Sequence, residues 1–364
     1  MISEAWSDLR SHNVYGMYDA VVVGSSFAGL AAARQLGEHV VVLDRKPLGS
    51  GQASSCGIPL PVLQTLGVED AALQVHSSLV LHAAGAVVEI PSRVPFCTFD
   101  YEKLCTALAR QVTGEFVRAN VEGIDGQRVM TDAGAFAGRV LIDASGWRAA
   151  LASAVHPGFV DRRWLFCGVE TEVRMTESGL HFWVEPGRWK NGLGWIFPCG
   201  DVCRVGVGSY VGDHPLGPYL DKFLAMLGVE GGRKRHGGFF PSRLRRATAG
   251  HVFVTGDAAG QCYPLSGEGI RPALFFGDAC GRIARGVVEG RQPLPEALAA
   301  YADLVHRNRW SFGIMRVIQD SLLRVGPVGQ STLVRLVNLP PLRATLEWAY
   351  DRAMPAPSEI GAPA

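Results

Sequence analysis

The chain has 364 residues, 48% of them hydrophobic, and a formal net charge of +1. This length is enough for two packed domains, and the balanced charge gives no electrostatic case for nucleic acid as a partner. The chain contains no run of about eighteen apolar residues, so we expect no membrane span. Residues 1–18 lack the apolar core of a signal peptide. The eight cysteines have no metal-ligand spacing, which favours a reduced cytoplasmic protein and predicts no metal site.

The first motif is a strand–helix–strand unit over residues 18–45. An apolar strand at Ala20–Val23 leads through a glycine-containing turn into a helix, and a second strand, Val40–Leu43, ends at Asp44. In such units the helix N-terminus holds a pyrophosphate and the acid binds a ribose hydroxyl. The middle glycine of the usual pattern is replaced by serine, whose hydroxyl could donate to a phosphate oxygen. The predicted dinucleotide contacts are Gly24, Ser26, Phe27, Ala28, Gly29, Asp44 and Arg45.

Two further segments extend this first part of the chain. The loop over residues 48–60 is rich in glycine and serine and is too long for a plain connector, which favours a ligand-facing role for Cys56-Gly57 at its end. Residues 139–143 form another apolar strand that ends in Asp143 and is followed by Gly146. This strand could be the third parallel strand of the sheet. The alternative is that Asp143 and Gly146 mark only a turn.

From residue 163 to about 241, short apolar and aromatic runs alternate with turns, which predicts an antiparallel sheet. Trp195 and Phe197 alternate along one strand and can share a face, either towards a ligand or as a core pair. The segment 206–212 has glycines like those of a phosphate loop. However, Asp213-His214-Pro215 stands where a helix would be required, so we assign strand and turn.

The last third of the chain returns to the first pattern. Val252–Thr255 is a buried strand followed by Gly256-Asp257, and residues 264–270 lead into a helix towards Val288. The remaining tail is mostly helical, with an apolar stripe flanked by arginines. Such a stripe is most often core or an interface, and the alternative is peripheral contact with a membrane.

Three motifs in fixed order make the chain resemble the flavoprotein hydroxylase fold: the first phosphate loop, the Asp143–Gly146 loop, and Gly256-Asp257. The resemblance implies FAD, with carboxylates after the strands holding the ribityl hydroxyls and a helix N-terminus stabilising negative charge on the reduced ring. The glycines before that helix let the backbone approach the ring. The further cofactor residues implied are Val121, Asp143, Gly146, Gly256, Asp257, Pro264, Gly267, Gly269 and Ile270.

Within that fold the chain more closely resembles the geranylgeranyl reductase family. The residues that carry this resemblance are Cys56-Gly57, the run Gly194–Pro198 followed by Gly206, and the segment from Gly256 to Ile270. The family's tyrosine two residues before the tryptophan is replaced by Leu193. The resemblance implies catalytic roles for Cys56 and Gly57, and a substrate site at Leu193, Trp195, Phe197 and Pro198.

The expected architecture is a mixed α/β chain with an inserted antiparallel-sheet domain. Residues 1–158 and 250–292 would form a Rossmann-like FAD-binding domain, residues 159–249 the substrate domain and residues 293–364 a helical C-terminal region. The implied activity is reduction of carbon–carbon double bonds in a prenyl or other apolar substrate. NAD(P)H or a small redox protein would supply the electrons, since no second dinucleotide loop is evident.

Flavin-dependent oxygen chemistry is the alternative, either hydroxylation or halogenation of an aromatic or natural-product substrate. Related halogenases carry a catalytic lysine after the first loop, but residues 73–90 contain no lysine, which disfavours halogenation. A non-enzymatic flavin-loaded lipid carrier is the remaining hypothesis.

Overall fold

The computed structural model describes residues 16–189, 191–212, 215–232 and 234–360, so the predicted turn at Asp213-His214 and most of the N-terminal segment lie outside the described residues. The strands are β1 Tyr18–Val23, β2 Val40–Asp44, β3 Gly57–Pro59, β4 Ala72–Ala83, β5 Ala86–Phe99, β6 Glu115–Arg118, β7 Val121–Asp125, β8 Arg128–Thr131, β9 Gly134–Asp143, β10 Leu165–Val173, β11 Leu180–Trp183, β12 Gly192–Pro198, β13 Cys203–Ser209, β14 Arg235–Pro241, β15 Thr248–Ala249 and β16 Val252–Val254.

The helices are α1 Phe27–Ala33, α2 Leu60–Leu66, α3 Tyr101–Ala109, α4 Ala150–Val155, α5 Gly217–Leu227, α6 Ile270–Val288, α7 Leu294–Arg307, α8 Arg309–Arg324, α9 Pro327–Val337 and α10 Pro340–Ala353. Asp100 caps α3 by accepting a hydrogen bond from the Lys103 backbone N–H. Within the described ranges, no helix is long and apolar enough to cross a membrane.

The first sheet has the strand order β15-β16-β9-β1-β2-β6. Strands β16, β9, β1, β2 and β6 run parallel, which confirms the strand–helix–strand unit and the third parallel strand at residues 139–143. The residues of β1 and β2 are almost wholly buried, as expected for a parallel sheet covered on both faces. Because the parallel strands end at one edge, Asp44, Asp143 and Gly256 lie along the same rim of the sheet.

The second sheet has the order β14-β10-β13-β12-β11-β4-β5-β3. The pairings are antiparallel except for β11 with β4. One face packs on α5 through a cluster that includes Val205, Val207 and Phe223. The sequence pattern predicted that residues 159–249 form this sheet by themselves. In the structure, three of its strands come from residues 57–99.

Glycines set the distance between α1 and α6. A Cβ on Gly277 would come within 2.4 Å of the Ala28 carbonyl oxygen, and one on Gly281 within 2.3 Å of the Ala32 carbonyl oxygen. The two helix backbones can therefore approach closely, which fixes the start of α6 against the first phosphate loop.

Candidate active site

The predicted nucleotide end of the site is the turn between β1 and α1. Gly24 has a φ of +111°, and a Cβ there would lie 2.2 Å from the Ala144 carbonyl oxygen. A Cβ on Gly29 would lie 1.8 Å from the Gly24 carbonyl oxygen, so no larger residue fits either position. The Asp44 carboxylate closes the turn by accepting hydrogen bonds from the Ser25 backbone N–H at 2.7 Å and the Ser25 hydroxyl at 2.9 Å.

The predicted neighbours of this turn have different surroundings. The Ser26 hydroxyl lies 3.0 Å from the Tyr101 hydroxyl and does not cap α1, although Ser26 is the N-cap residue. Phe27 and Ala28 are buried on α1, and Phe27 packs edge-on against Phe99 and Tyr101. Val121 opens β7 and packs on the opposite side of the first sheet from α1.

Asp143 organises its own loop. Its carboxylate accepts hydrogen bonds from the Ser145 backbone N–H at 3.0 Å, the Ser145 hydroxyl at 2.6 Å and the Ala152 backbone N–H at 2.8 Å. Burial raises the pKa of this carboxyl, and the hydrogen bonds oppose that shift. Since the donors are protein groups, the structure gives Asp143 a supporting role, positioning the loop that contains Gly146 and packs against Gly24.

Asp257 differs from Asp143 in its hydrogen bonding. In the described part of the chain, its carboxylate accepts no hydrogen bond, and burial raises its pKa to about 6 while nearby Arg245 opposes the shift. Gly256 before it has a φ of +63°, and a Cβ there would lie 2.7 Å from the Ala28 Cβ. A half-buried carboxylate with free lone pairs is suited to accept hydrogen bonds from ligand hydroxyls.

The segment before α6 is held from the second sheet and from the C-terminal helices. Leu265 adopts a φ of +68°; its carbonyl accepts a hydrogen bond from the Tyr210 hydroxyl at 2.6 Å and its N–H donates to Gln319 Oε1 at 2.9 Å. A Cβ on Gly269 would lie 3.7 Å from Asp257 Oδ1. Pro264 and Ile270 are buried, while Gly267 and Gly269 are partly exposed. The N-terminus of α6 therefore lies beside Asp257.

The aromatic strand β12 forms an accessible wall. Leu193, Trp195 and Phe197 are each partly exposed, whereas the residues between them are buried against α5. Trp195 lies opposite Gly206 in the β12–β13 register, and a Cβ on Gly206 would come within 2.3 Å of the indole. Trp195 and Gly206, which both belong to the motifs that carry the family resemblance, are thus in direct contact. Pro198 is buried on the other face, where its carbonyl accepts a hydrogen bond from Thr98, so the structure does not bring it to this wall.

The loop that ends in Cys56-Gly57 meets this wall. A Cβ on Gly57 would lie 2.6 Å from the Phe197 ring, so the two motifs touch. Cys56 is fully buried, adopts a φ of +57°, and donates its thiol to the Ser54 carbonyl at 3.2 Å. Burial raises the pKa of the Cys56 thiol well above its ordinary value, and nearby Arg204 opposes the shift. The thiol is therefore protonated at neutral pH.

A buried carboxylate that the sequence analysis missed joins the loop to the wall. Glu170, on β10, is 2% exposed. It accepts hydrogen bonds from Trp195 Nε1 at 3.0 Å and from the Ser55 hydroxyl, and it lies 2.7 Å from His236 Nε2. The hydrogen bond with Glu170 raises the pKa of His236. Arg204 donates to the Ser55 and Phe99 carbonyls, both at 3.0 Å. The sequence feature that could have identified Glu170 is its position as a charged residue in an otherwise apolar strand.

The predicted cofactor and substrate residues fall into three groups in the structure. A glycine turn and acid lie at the nucleotide end, Asp257 and the start of α6 lie further along the rim, and an aromatic wall with a buried thiol stands on the second sheet. The fold is that of the FAD-binding reductases and monooxygenases.

In sequence the chain is similar to curated geranylgeranyl reductases, the family that its motifs resemble. It is 25% identical over 334 residues to the geranylgeranyl diphosphate reductase of Rhodobacter capsulatus. That alignment covers 83% of this chain and 84% of the relative. It is 27% identical over 160 residues to a digeranylgeranylglycerophospholipid reductase of Methanococcus aeolicus, and there the chain spans only 40% of the relative. No family model matches the chain.

Solved structures agree on the fold. A geranylgeranyl bacteriochlorophyll reductase-like protein of Thermoplasma acidophilum superposes with a TM-score of 0.79 at 18% identity, covering 94% of this chain and 98% of that one. A flavin-dependent brominase gives a TM-score of 0.71 at 15% identity, covering 94% and 97%. At these identities the likeness concerns the fold, which reductases and halogenating enzymes share.

Proposed function

We propose that the protein is an FAD-dependent reductase that saturates carbon–carbon double bonds of a prenyl or other apolar chain. The observation that carries this proposal is the contact between the Cys56-Gly57 loop and the partly exposed wall formed by Leu193, Trp195 and Phe197. An apolar alkene is the substrate class that such a wall binds best, because burying hydrocarbon surface against it is favourable.

The residues present fit FAD. The Gly24–Gly29 turn would hold the pyrophosphate, Asp44 a ribose hydroxyl, and Asp257 the ribityl hydroxyls. Leu265, Gly267 and the start of α6 would lie at the ring. When bound and reduced, FAD supplies the hydride for the alkene. The Asp257 carboxylate, which accepts no hydrogen bond from the described residues, supports this placement.

The chain's own groups would orient the alkene, exclude water and supply the proton. Trp195 and Phe197 would hold the hydrocarbon in place, since orientation and water exclusion are what a protein can contribute to this reaction. In this proposal the protonated Cys56 thiol would donate its proton to the carbon that does not receive the hydride. The Arg204 charge would then stabilise the thiolate that remains.

The electron donor in this proposal is external, either NAD(P)H or a small redox protein. The apolar stripe on the C-terminal helices supports peripheral contact with a membrane, where prenyl chains dissolve. Trp310, Ile314 and Val317 on α8 are 45%, 48% and 65% exposed, and the exposed arginines Arg309 and Arg324 stand at the two ends of this helix.

The experiment is anaerobic reduction of the purified flavoprotein, followed by reoxidation with either a polyprenyl substrate or oxygen plus an aromatic compound. Rapid reoxidation by the alkene, with a saturated product identified by mass spectrometry, is expected. A saturated polyprenyl chain of the same length is the control, because it binds the wall but cannot accept hydride. Oxygen-dependent formation of a hydroxylated or halogenated product would move the protein to the monooxygenase branch.

A further inference from the structure

A second cleft lies outside the aromatic wall. It has a volume of about 690 Å³ and lies between the segment that follows α4 and the segment that joins β14 to β15. Its lining includes His156, Phe159, Trp164, Arg243, Arg245 and Arg246. This volume is in the range of small-molecule sites, which is about 300–1,000 Å³.

Positive charge is in excess around this cleft. In the ranges that the structure describes, Arg243, Arg245 and Arg246 have no carboxylate at ion-pair distance. The acid in the lining, Asp161, is held by Arg163 at 2.8 Å, so that pair is neutral. The charges of Asp257 and Asp143 act on Arg245. This leaves Arg243 and Arg246 as the two groups that favour an anion with several oxygens, because guanidinium groups bind phosphate by paired charge-assisted hydrogen bonds.

Aromatic rings hold several of the surrounding arginines in place. Arg243 and Arg316 stack on Trp164, with their guanidinium carbons 5.1 and 4.9 Å from the ring centroid. Arg148, which does not line the cleft, lies 4.7 Å from the centroid of Trp147, whose carbonyl accepts a hydrogen bond from Arg245. Stacking limits the motion of a long side chain, so less conformational entropy is lost when an anion binds.

Arg245 connects the cleft to the proposed flavin site. Its Nη1 donates to the carbonyls of Trp147 at 2.8 Å, Asp257 at 3.2 Å and Ala258 at 3.3 Å, while its Nη2 is buried without a hydrogen-bond partner in the described residues. Asp257 and Asp143 are the carboxylates whose charge acts on Arg245. A ligand in the cleft would therefore lie next to the residue assigned to the ribityl chain.

We propose that this cleft binds the phosphate groups of a phosphorylated ligand that takes part in the reaction. Phosphate binding itself does not depend on the proposed function, but the two molecules that could carry the phosphate are taken from it. One source is the phosphorylated nicotinamide dinucleotide that donates electrons. The other is the diphosphate head of a prenyl substrate. Both present several phosphate oxygens to Arg243 and Arg246, and the aromatic lining accommodates the remainder of either molecule.

The test is isothermal titration calorimetry of the flavin-loaded protein with inorganic pyrophosphate at low and high salt. We expect binding that weakens as the salt concentration rises. The double variant Arg243→Ala/Arg246→Ala should lose at least about tenfold in affinity, which corresponds to about 1.4 kcal/mol. The matched control is Arg285→Ala/Arg291→Ala, which removes two exposed arginines that share Glu289 elsewhere on the surface. Flavin absorbance and melting temperature establish that each variant is folded.

Competition with pyrophosphate then distinguishes the sources. Displacement by NADPH at lower concentration than by NADH identifies an electron-donor site. Displacement by geranylgeranyl diphosphate but not by geranylgeraniol identifies a substrate head group. Failure of pyrophosphate to bind at millimolar concentration, or equal weakening in both double variants, overturns the inference. These titrations do not depend on turnover, so they can succeed even where the alkene-reduction experiment fails.

Discussion

At Cys56 the backbone is held in a conformation that a non-glycine residue rarely adopts. Its φ of +57° costs roughly 1–3 kcal/mol relative to an ordinary conformation. The Phe99 N–H donates to its carbonyl at 3.0 Å, and the adjacent Gly57 packs on Phe197, so the neighbouring strands stabilise the unusual turn. The strain places a thiol where the loop meets the aromatic wall. A glycine would fit this backbone more easily, so the presence of cysteine favours a role for the sulfur.

Cys56→Ser tests that role, because it nearly preserves volume while changing the proton chemistry. If Cys56 donates the proton, flavin reduction should survive while alkene reduction falls at least about tenfold, a barrier increase near 1.4 kcal/mol. Stopped-flow measurement of the two half-reactions separates these effects. Cys280→Ser is the matched control, since Cys280 is also fully buried but lies within α6. If both half-reactions keep wild-type rates in Cys56→Ser, the thiol is only a packing group.

Asp257→Asn should weaken FAD binding and stabilise the flavin-free protein. Loss of the charged acceptor should cost about 1.5–3 kcal/mol of FAD affinity, measured by fluorescence titration. In the flavin-free protein the pKa of Asp257 is raised to about 6, so the ionised carboxylate destabilises the fold at higher pH. The stability that this residue contributes is present below about pH 3.8 and is lost as pH rises through 6.

The variant should therefore melt at a higher temperature than wild type at pH 8, and the difference should shrink towards pH 4. Asp132→Asn is the control, since its carboxylate is exposed and accepts a hydrogen bond from the Asn120 backbone N–H. Unchanged FAD affinity in Asp257→Asn would remove the carboxylate from the proposed ribityl contact.

His236→Gln tests the buried carboxylate that joins the loop to the wall. The Glu170 hydrogen bond raises the pKa of His236, with Glu172 adding to the shift while burial and Arg204 oppose it. The stability from the charged pair is present below about pH 6.5 and is lost as pH rises through the raised pKa. Urea unfolding should show a larger cost of the substitution at pH 6 than at pH 9. His251→Gln, which removes a ring facing the Gly126 carbonyl, is the control. An equal cost at both pH values would contradict the pairing.

At the scale of elements, β12 and β13 together set the position of the aromatic wall. Gly206→Ala should displace the Trp195 indole, because the new Cβ would lie 2.3 Å from it. Overpacking of this kind costs about 1–3 kcal/mol of unfolding free energy. We also expect a higher KM for the apolar substrate, measured beside the melting temperature. Gly123→Ala is the control, since a Cβ on that strand glycine meets nothing within 4 Å. An unchanged KM in Gly206→Ala would show that the position of Trp195 does not affect substrate binding.

Local sequence patterns predicted individual strands and helices better than they predicted which strands pair and which distant residues meet. The unit at residues 18–45 was recognisable because strand, turn, helix and acid are adjacent in sequence. The contact of Gly57 with Phe197 could not be predicted from local spacing, since 140 residues separate them. Glu170 and His236 meet through the β10–β14 register, which depends on long-range pairing that no local spacing encodes. For the same reason β4 and β5 were not expected in the second sheet.

Across the whole molecule, the site is shared between the two sheets and is supported by the C-terminal helices. Tyr210 from the end of β13 holds Leu265 in front of α6, and Gln319 on α8 holds the same residue from the other side. Glu268 beside this loop accepts hydrogen bonds from Arg271 and from Tyr350 on α10. A helix that contacts the proposed ring-binding loop on one side therefore exposes an apolar stripe on the other.

The last prediction concerns that stripe on α8. Ile314→Ser/Val317→Ser should reduce binding to vesicles that contain anionic phospholipid, because both side chains are about half exposed or more and would enter the lipid interface. Each fully buried aliphatic side chain is worth about 1.5–3 kcal/mol, so partial insertion of two predicts at least a tenfold loss in partitioning. Vesicle co-sedimentation measures this, with Leu73→Ser/Val75→Ser as the control pair of exposed apolar residues on β4. Equal binding by wild type and both double variants, or no binding by wild type, would contradict a contact between the α8 stripe and lipid. The substrate would then have to reach the aromatic wall from solution.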